Sequence, residues 1–131
     1  FLDNITFGET SISREQIYWA LEHTGLSKFI KEQPLGLNTV IYPEGKQISF
    51  TIAKKIVLAR SIVRKPKLLM LQEPLDHLDE SEANKIMDFL TLPEHKWALI
   101  IVSKNPRWAK RCERVLTLDN GKLISDIQNN A

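Results

Sequence analysis

Lys67-Leu68-Leu69-Met70-Leu71-Gln72-Glu73-Pro74-Leu75-Asp76-His77-Leu78-Asp79 is the stretch that decides the fold. Residues 67–71 are a lysine followed by a short continuous apolar run, which predicts a strand buried on both faces. A carboxylate, a proline and a short loop closing in Leu-Asp follow it. Asp79 can then cap a helix from Glu80 to Leu90, with Glu82 at the capping-box position. Trp97 to Val102 is a second buried run. Asn105-Pro106 predicts the start of another short helix, because proline fits the first helical position. Val115–Leu118 and Lys122–Ser125, joined by Asn120-Gly121, read as a hairpin with a tight turn. Strand, helix, strand, helix and hairpin in that order predict an α/β sheet with at least one parallel crossover.

Upstream the period is helical. Ser13 followed by Gln16 is a capping-box pattern, Ile17, Ala20, Leu21 and Trp19 supply an apolar side, and Gly25 is a plausible stop. A shorter helix is expected from Ser27 to Gln33, ending before Pro34. Leu35 to Gln47 is rich in turn formers and predicts loop. Ser49 to Arg64 predicts a third helix, with Ile52, Ile56, Ala59 and Val63 on one stripe and Pro66 just beyond its end.

The bulk properties set limits. Across 131 residues, 43% are apolar and 26% charged, which is ordinary for a globular domain. Its apolar runs are far shorter than the ~20 residues that cross a bilayer, so no direct membrane insertion is expected. No basic region leads into an apolar stretch at the start, as a secretory signal would require. A net charge of +2 lacks the concentrated basic stripe that nucleic acid demands. The pairs Lys54-Lys55, Arg64-Lys65 and Lys110-Arg111 fit solvated positions on or near helix ends. The single Cys112 cannot make an internal disulfide and suits a reducing compartment; it is expected to pack rather than to react. His23, His77 and His95 show no metal-ligand spacing, so surface or loop roles are expected and no metal site is assigned. The chain opens on Phe1 without a methionine, and is expected to be a piece of a longer protein.

The deciding stretch resembles the Walker B strand and D-loop of ATP-binding domains of ABC transporters. Ile48-Ser49-Phe50-Thr51-Ile52 stands where that family has its Leu-Ser-Gly-Gly-Gln signature, and Ile56-Val57-Leu58-Ala59-Arg60-Ser61 resembles the helix that follows. The spacing from Ser49 to Glu73 matches without a gap. Leu2-Asp3-Asn4-Ile5-Thr6-Phe7-Gly8 is similar to the stretch after the Q-loop in exporters. Pro34-Leu35-Gly36-Leu37-Asn38-Thr39-Val40 with Glu44-Gly45 is similar to the run ending in the X-loop. Arg114 to Ile124 resembles the terminal hairpin. The resemblance covers nearly the whole chain. It implies the C-terminal part of an exporter-type domain: a helical subdomain at 1–66 and, at 67–131, part of a P-loop-type sheet ending in a β-hairpin.

The same resemblance implies chemistry that the residues present only partly carry. ATP hydrolysis needs phosphate cradling, coordinated Mg²⁺ and an activated water. The cradle is a Gly-x-x-x-x-Gly-Lys-Ser/Thr loop, and none occurs in this sequence. Gln72 holds the Walker B position of an Asp; its amide brings no charge, whereas Mg²⁺ prefers anionic oxygens. Glu73 stands at the general-base position and could polarise a water if nucleotide were present; its bland alternative is a strand-end acid serving a neighbouring loop. In the signature, Ser49 survives but Phe50 and Thr51 replace two glycines whose absent side chains allow close approach. Phe50 should either block that approach or bury itself in place of the phosphate, and Ser49 is expected to keep only the role of an N-cap. Lys104 occupies the place of the switch histidine, as a point charge without directional, pH-tunable hydrogen bonding. Leu78 and Asp79 keep the D-loop ending.

ATP and Mg²⁺ are thus the cofactors the family implies, and this chain alone is expected neither to bind them in the family's manner nor to hydrolyse ATP. The implied partners are the transmembrane domain of an exporter and a second nucleotide-binding domain, at the cytoplasmic face of the inner or plasma membrane. Two readings follow. One is a fragment of an ABC-transporter nucleotide-binding subunit impaired in hydrolysis, with residues 1–8 and the helices up to Gln33 facing the membrane domain. The other is a regulatory or scaffold module that keeps the fold without nucleotide. An unrelated small enzyme is disfavoured, because no nucleophile–base pair or metal cluster is visible.

Overall fold

The structure, a computed structural model, describes residues 1–129. It opens with a short helix, α1 (Leu2–Thr6), which the periodicity did not announce. Five residues cannot sustain a helix by propensity. Long side chains hold it from outside: Arg60 Nε donates to Asn4 O at 2.6 Å and an Arg64 guanidinium nitrogen donates to Thr6 O at 2.9 Å, while Ile5 is fully buried.

Helix α2 (Arg14–His23) starts on the expected capping box: Ser13 Oγ accepts from Gln16 N–H at 3.1 Å, and Gln16 Oε1 accepts from Ser13 N–H at 3.0 Å. It stops where Gly25 predicts. Leu26 N–H donates to Leu21 O and Gly25 N–H to Glu22 O, the double bond pattern of a Schellman close. Leu26 and Leu21, the pair that such a close brings together, are both fully buried. Helix α3 (Ser27–Glu32) ends at Gln33, whose extended backbone suits a residue before proline. The loop that follows contains two single 3₁₀ turns, Gly36–Asn38 and Pro43–Gly45.

Helix α4 (Phe50–Ile62) buries Ile56, Leu58, Ala59 and Ile62, with Ile52 packed at the margin of the core. It also buries Lys55, which the sequence placed among solvated charges.

Strand β1 (Leu68–Gln72), helix α5 (Glu80–Leu90) and strand β2 (Ala98–Val102) form a parallel unit, with Leu68 opposite Ala98 and Gln72 opposite Val102. Its strands alternate rather than being buried on both faces as predicted. Leu69, Leu71, Leu99 and Ile101 join the core. Leu68, Met70, Ile100 and Val102 stand 47% to 66% exposed on the other face. The cause is the width of the sheet: β1 and β2 pair only with each other among the described residues, and the core covers one side.

The helix expected from Asn105 is instead a run of turns over 106–111. Its amides reach back mostly three residues, as in Ala109 N–H to Pro106 O and Arg111 N–H to Trp108 O. The Asn105 side chain takes Arg107 N–H at 3.0 Å, competing with helical pairing. Strands β3 (Arg114–Asp119) and β4 (Lys122–Gln128) make the expected antiparallel hairpin. Asn120 and Gly121 at its tip have φ of 47° and 72°, the paired left-handed residues of a type I′ turn. Arg114 grips Asp126 across the strands with two bonds, of 3.0 and 2.8 Å. The chain is therefore α/β, helical first and sheet-bearing after, and one buried cluster runs through both halves.

Candidate functional site

Glu73 stands just past the end of β1 with a left-handed backbone (φ 39°). Its N–H donates to Val102 O at 2.8 Å, so the strand pairing runs one residue further. This turn delivers the carboxylate to the segment leaving β2. One oxygen accepts from Lys104 N–H at 2.6 Å and the other from the Ser103 hydroxyl at 2.8 Å. The Lys104 amide first, and Ser103 second, hold the acid below the usual carboxylate range. The main contribution of residue 104 to this contact is thus its backbone N–H, and its exposed ammonium adds a smaller attraction. Gln72 is exposed on the same sheet face as Met70, beside Glu73.

Ser49 is the N-cap of α4, its Oγ accepting from Ile52 N–H at 3.2 Å. Phe50 neither buries itself nor stands alone. It is 58% exposed and meets His77 edge-on, with centroids 4.9 Å apart and rings at 88°. Lys54 Nζ lies 5.5 Å from the same ring. Thr51 and Ile52 are half-buried behind it. The first turn of α4 therefore touches the loop after β1 through an aromatic pair, with a side chain where close approach to the helix would need none.

Asp79 caps α5, accepting from Glu82 N–H at 2.9 Å. Glu82 does not complete the capping box. Its carboxylate pairs with Lys55 of α4, whose side chain is 9% exposed. A buried ammonium left without a counter-charge would cost far more than a capping bond yields, and this decides which way Glu82 turns. Gly25 closes over the pair: a Cβ there would lie 2.7 Å from Glu82 Oε1 and 3.3 Å from Lys55 Nζ.

The structure thus joins Glu73 with the Ser103–Lys104 segment, and Phe50 with His77, while Ser49 and Asp79 work as helix caps. These residues do not fit a metal-bound nucleotide by themselves. Gln72 is neutral, both Glu73 oxygens are engaged, and the start of α4 is shielded by Phe50. Among the described residues there is no group of three or more acids, histidines or cysteines able to hold a metal ion. Cys112 is half-buried, and burial pushes its thiol above the usual range, as packing requires.

Two features escaped the sequence. An open cleft of about 370 Å³ lies between α1, α4 and the loop 41–48, lined by Asn4, Ile41, Tyr42, Ile48, Val57 and Arg60. His23 and His95 are not surface residues but half-buried members of an aromatic cluster. For the second, the density of Trp19, His23, Phe89, His95 and Trp97 was the available signal; nothing local pointed to the cleft.

A helical half leading into a Walker B-like strand, a D-loop-like turn and a terminal hairpin defines the C-terminal part of an ABC ATPase fold. Comparison with a bacterial Atm1-family ABC exporter with ATP bound gives a TM-score of 0.84 at 22% identity, over 95% of this chain and 22% of that one. No family model matches the sequence. The alpha-hemolysin translocation ATP-binding protein HlyB of Escherichia coli is 30% identical over 125 residues, 95% of this chain. Multidrug resistance protein pgp-1 of Caenorhabditis elegans is 29% identical over 122 residues, and the multidrug resistance-like ATP-binding protein MdlB of Buchnera aphidicola 27% over 124. The chain is a homologue of the ATP-binding proteins of ABC exporters. It spans 9% to 21% of the length of these relatives. Among the described residues, no helix is long and apolar enough to cross a membrane.

Proposed function

We propose that the chain is part of the nucleotide-binding subunit of an exporter-type ABC transporter, impaired in ATP hydrolysis. The observation that carries this is Phe50 at the start of α4, exposed and leaning on His77 where the resemblance has a glycine. Backbone amides at a helix N-terminus attract phosphate only if the phosphate can reach them. Neutral Gln72 beside Glu73 weakens Mg²⁺ binding in the same direction. In this reading residues 1–66 act as the helical subdomain and 67–131 as the sheet-bearing remainder. The subunit sits at the cytoplasmic face of a membrane, bound to a transmembrane domain and a second nucleotide-binding domain; ATP with Mg²⁺ is the ligand the family implies, and this fragment by itself does not hold it. The cleft beside α1 and α4 is a surface for the membrane domain. Glu73 keeps the general-base position, Asp79 closes the D-loop, and Ser49, Thr51, Ile52 and Lys104 keep the places of signature and switch without their chemistry.

A second reading, a nucleotide-independent regulatory or scaffold module with the same fold, is favoured by the Phe50–His77 contact as an alternative use of that surface. The two are separated by restoring Gln72→Asp, Phe50→Gly, Thr51→Gly and Lys104→His together in the full-length protein. ATP-analogue binding by the unaltered protein, with hydrolysis gained on restoration, supports an impaired ATPase. No binding at millimolar ATP before or after restoration overturns it in favour of the scaffold.

A further inference from the structure

Five aromatic rings meet where the helical half touches the sheet-bearing half. Trp19 and His23 come from α2, Phe89 from the last turn of α5, and His95 and Trp97 from the segment entering β2. His23 lies flat on Phe89, with centroids 4.1 Å apart and planes within 6°. Phe89, 8% exposed, also meets His95 edge-on at 4.7 Å, and His95 stacks on Trp97 at 4.1 Å. Trp19 touches both His23 and Phe89 edge-on at 5.6 Å. The far side of this cluster is anchored. His95 Nε2 lies 2.7 Å from Phe89 O, which also accepts from Leu92 N–H, and Trp97 Nε1 donates to Leu90 O at 3.1 Å, a carbonyl the helix end leaves free. His23 has no such bond among the described residues; its place is held by ring packing.

We infer that this cluster is an acid-sensitive seam, in which protonation of His23 unseats α2 from Phe89 and loosens it from α5. The charged groups around His23 oppose one another. Glu22 on its own helix favours the imidazolium and His95 from the segment before β2 disfavours it; α5 lays the uncharged Phe89 ring on His23, and the Lys55–Glu82 pair of α4 and α5 lies past Gly25 at the same end of α2. Lys65, after α4, adds positive charge with its Nζ 4.9 Å from the centre of the Trp19 ring. Burial outweighs Glu22 and holds His23 below its ordinary 6.5. An imidazolium over Phe89 gains some cation–π attraction, which works against its desolvation. A histidine depressed in the fold binds more protons when unfolded, so its stabilising effect is whole above 6.5 and is lost as pH falls below that toward the lowered value. Carboxylates titrate at roughly pH 4. Between pH 7.5 and 5 an ordinary histidine changes charge, as does the Phe1 amine, which burial holds below its ordinary 8.0; His77 lies apart against Phe50.

The test compares the urea midpoint of the chain at pH 7.5 and 5.0 with that of His23→Phe, His23→Gln and His77→Gln. The unaltered chain should lose at least about 0.3 M in midpoint on acidification. Both His23 variants should lose less than half as much, and His77→Gln should follow the unaltered chain. Hydrogen exchange at pH 5.0, corrected for intrinsic rates, should speed up at least about threefold more in 14–23 than in α4. An equal acid loss in the His23 variants, or acceleration spread evenly over α2 and α4, overturns the seam. The glutamine variant keeps the test decisive should the phenylalanine variant fail to fold.

Discussion

Replacing Glu82 by alanine removes the counter-charge of Lys55 and leaves the ammonium in a site where its side chain is 9% exposed. Breaking a buried pair from one side costs about 3–5 kcal/mol. Glu82 itself is 30% exposed, so some water already reaches the pair and the expected loss sits at the lower end, about 3 kcal/mol. Urea unfolding of the chain at neutral pH measures it. The companion substitution, Lys55→Met together with Glu82→Leu, replaces both charges by apolar groups of similar volume and should stay within about 1 kcal/mol of the parent. Gly25→Ala attacks the same spot from just beyond the end of α2. It adds a Cβ 2.7 Å from the Glu82 carboxylate on a residue with φ of 72°. The left-handed backbone alone costs ~1–2 kcal/mol. If Glu82→Ala lies within ~0.5 kcal/mol of the parent, Lys55 has reached water unaided, and the pair cannot be what fixes α4 against α5.

Ser49→Ala and Asp79→Ala each remove an observed N-cap bond and should cost about 1 kcal/mol, additive in the double variant because they serve different helices. Leu21→Ala, at a fully buried position, should cost about 3–5 kcal/mol, read from the same urea transitions. Glu73→Gln should flatten the acid side of the stability profile. The native carboxyl is depressed below 4.5, so it stabilises above that value and the effect is lost as pH falls through the lowered one. Comparing unfolding of parent and variant from pH 6 to 3 checks this, and parallel curves would refute it.

The outline of the molecule was legible because local signals agreed with the tertiary result. Ser13 with Gln16, Gly25, Ser49, Asp79 and Asn120-Gly121 each place an element boundary by backbone chemistry that operates over four or five residues. What stayed hidden depends on partners distant in sequence. Helix α1 exists through Arg60 and Arg64, more than fifty residues on. Glu82 looked like a capping-box acid until Lys55 claimed it, and continuous apolar runs at 68–71 and 98–102 cannot say that only one side of the sheet is covered. For the candidate site, residue order singled out Glu73, Gln72 and Lys104 as expectations. It could not reveal that the backbone of Lys104, more than its side chain, holds Glu73, nor that Phe50 finds His77.

Leu68, Met70, Ile100 and Val102 form an apolar patch on the open side of β1 and β2. Hydrophobic attraction between such patches persists as the solution warms, and a partly opened chain adds more surface of the same kind. Heating should therefore cloud the solution before the helical signal is lost, earlier at higher protein concentration and in sulfate. A thermal scan of this chain then records a rate of coagulation that shifts with scan speed, whereas urea, which solvates the patch as it unfolds the protein, reports an equilibrium.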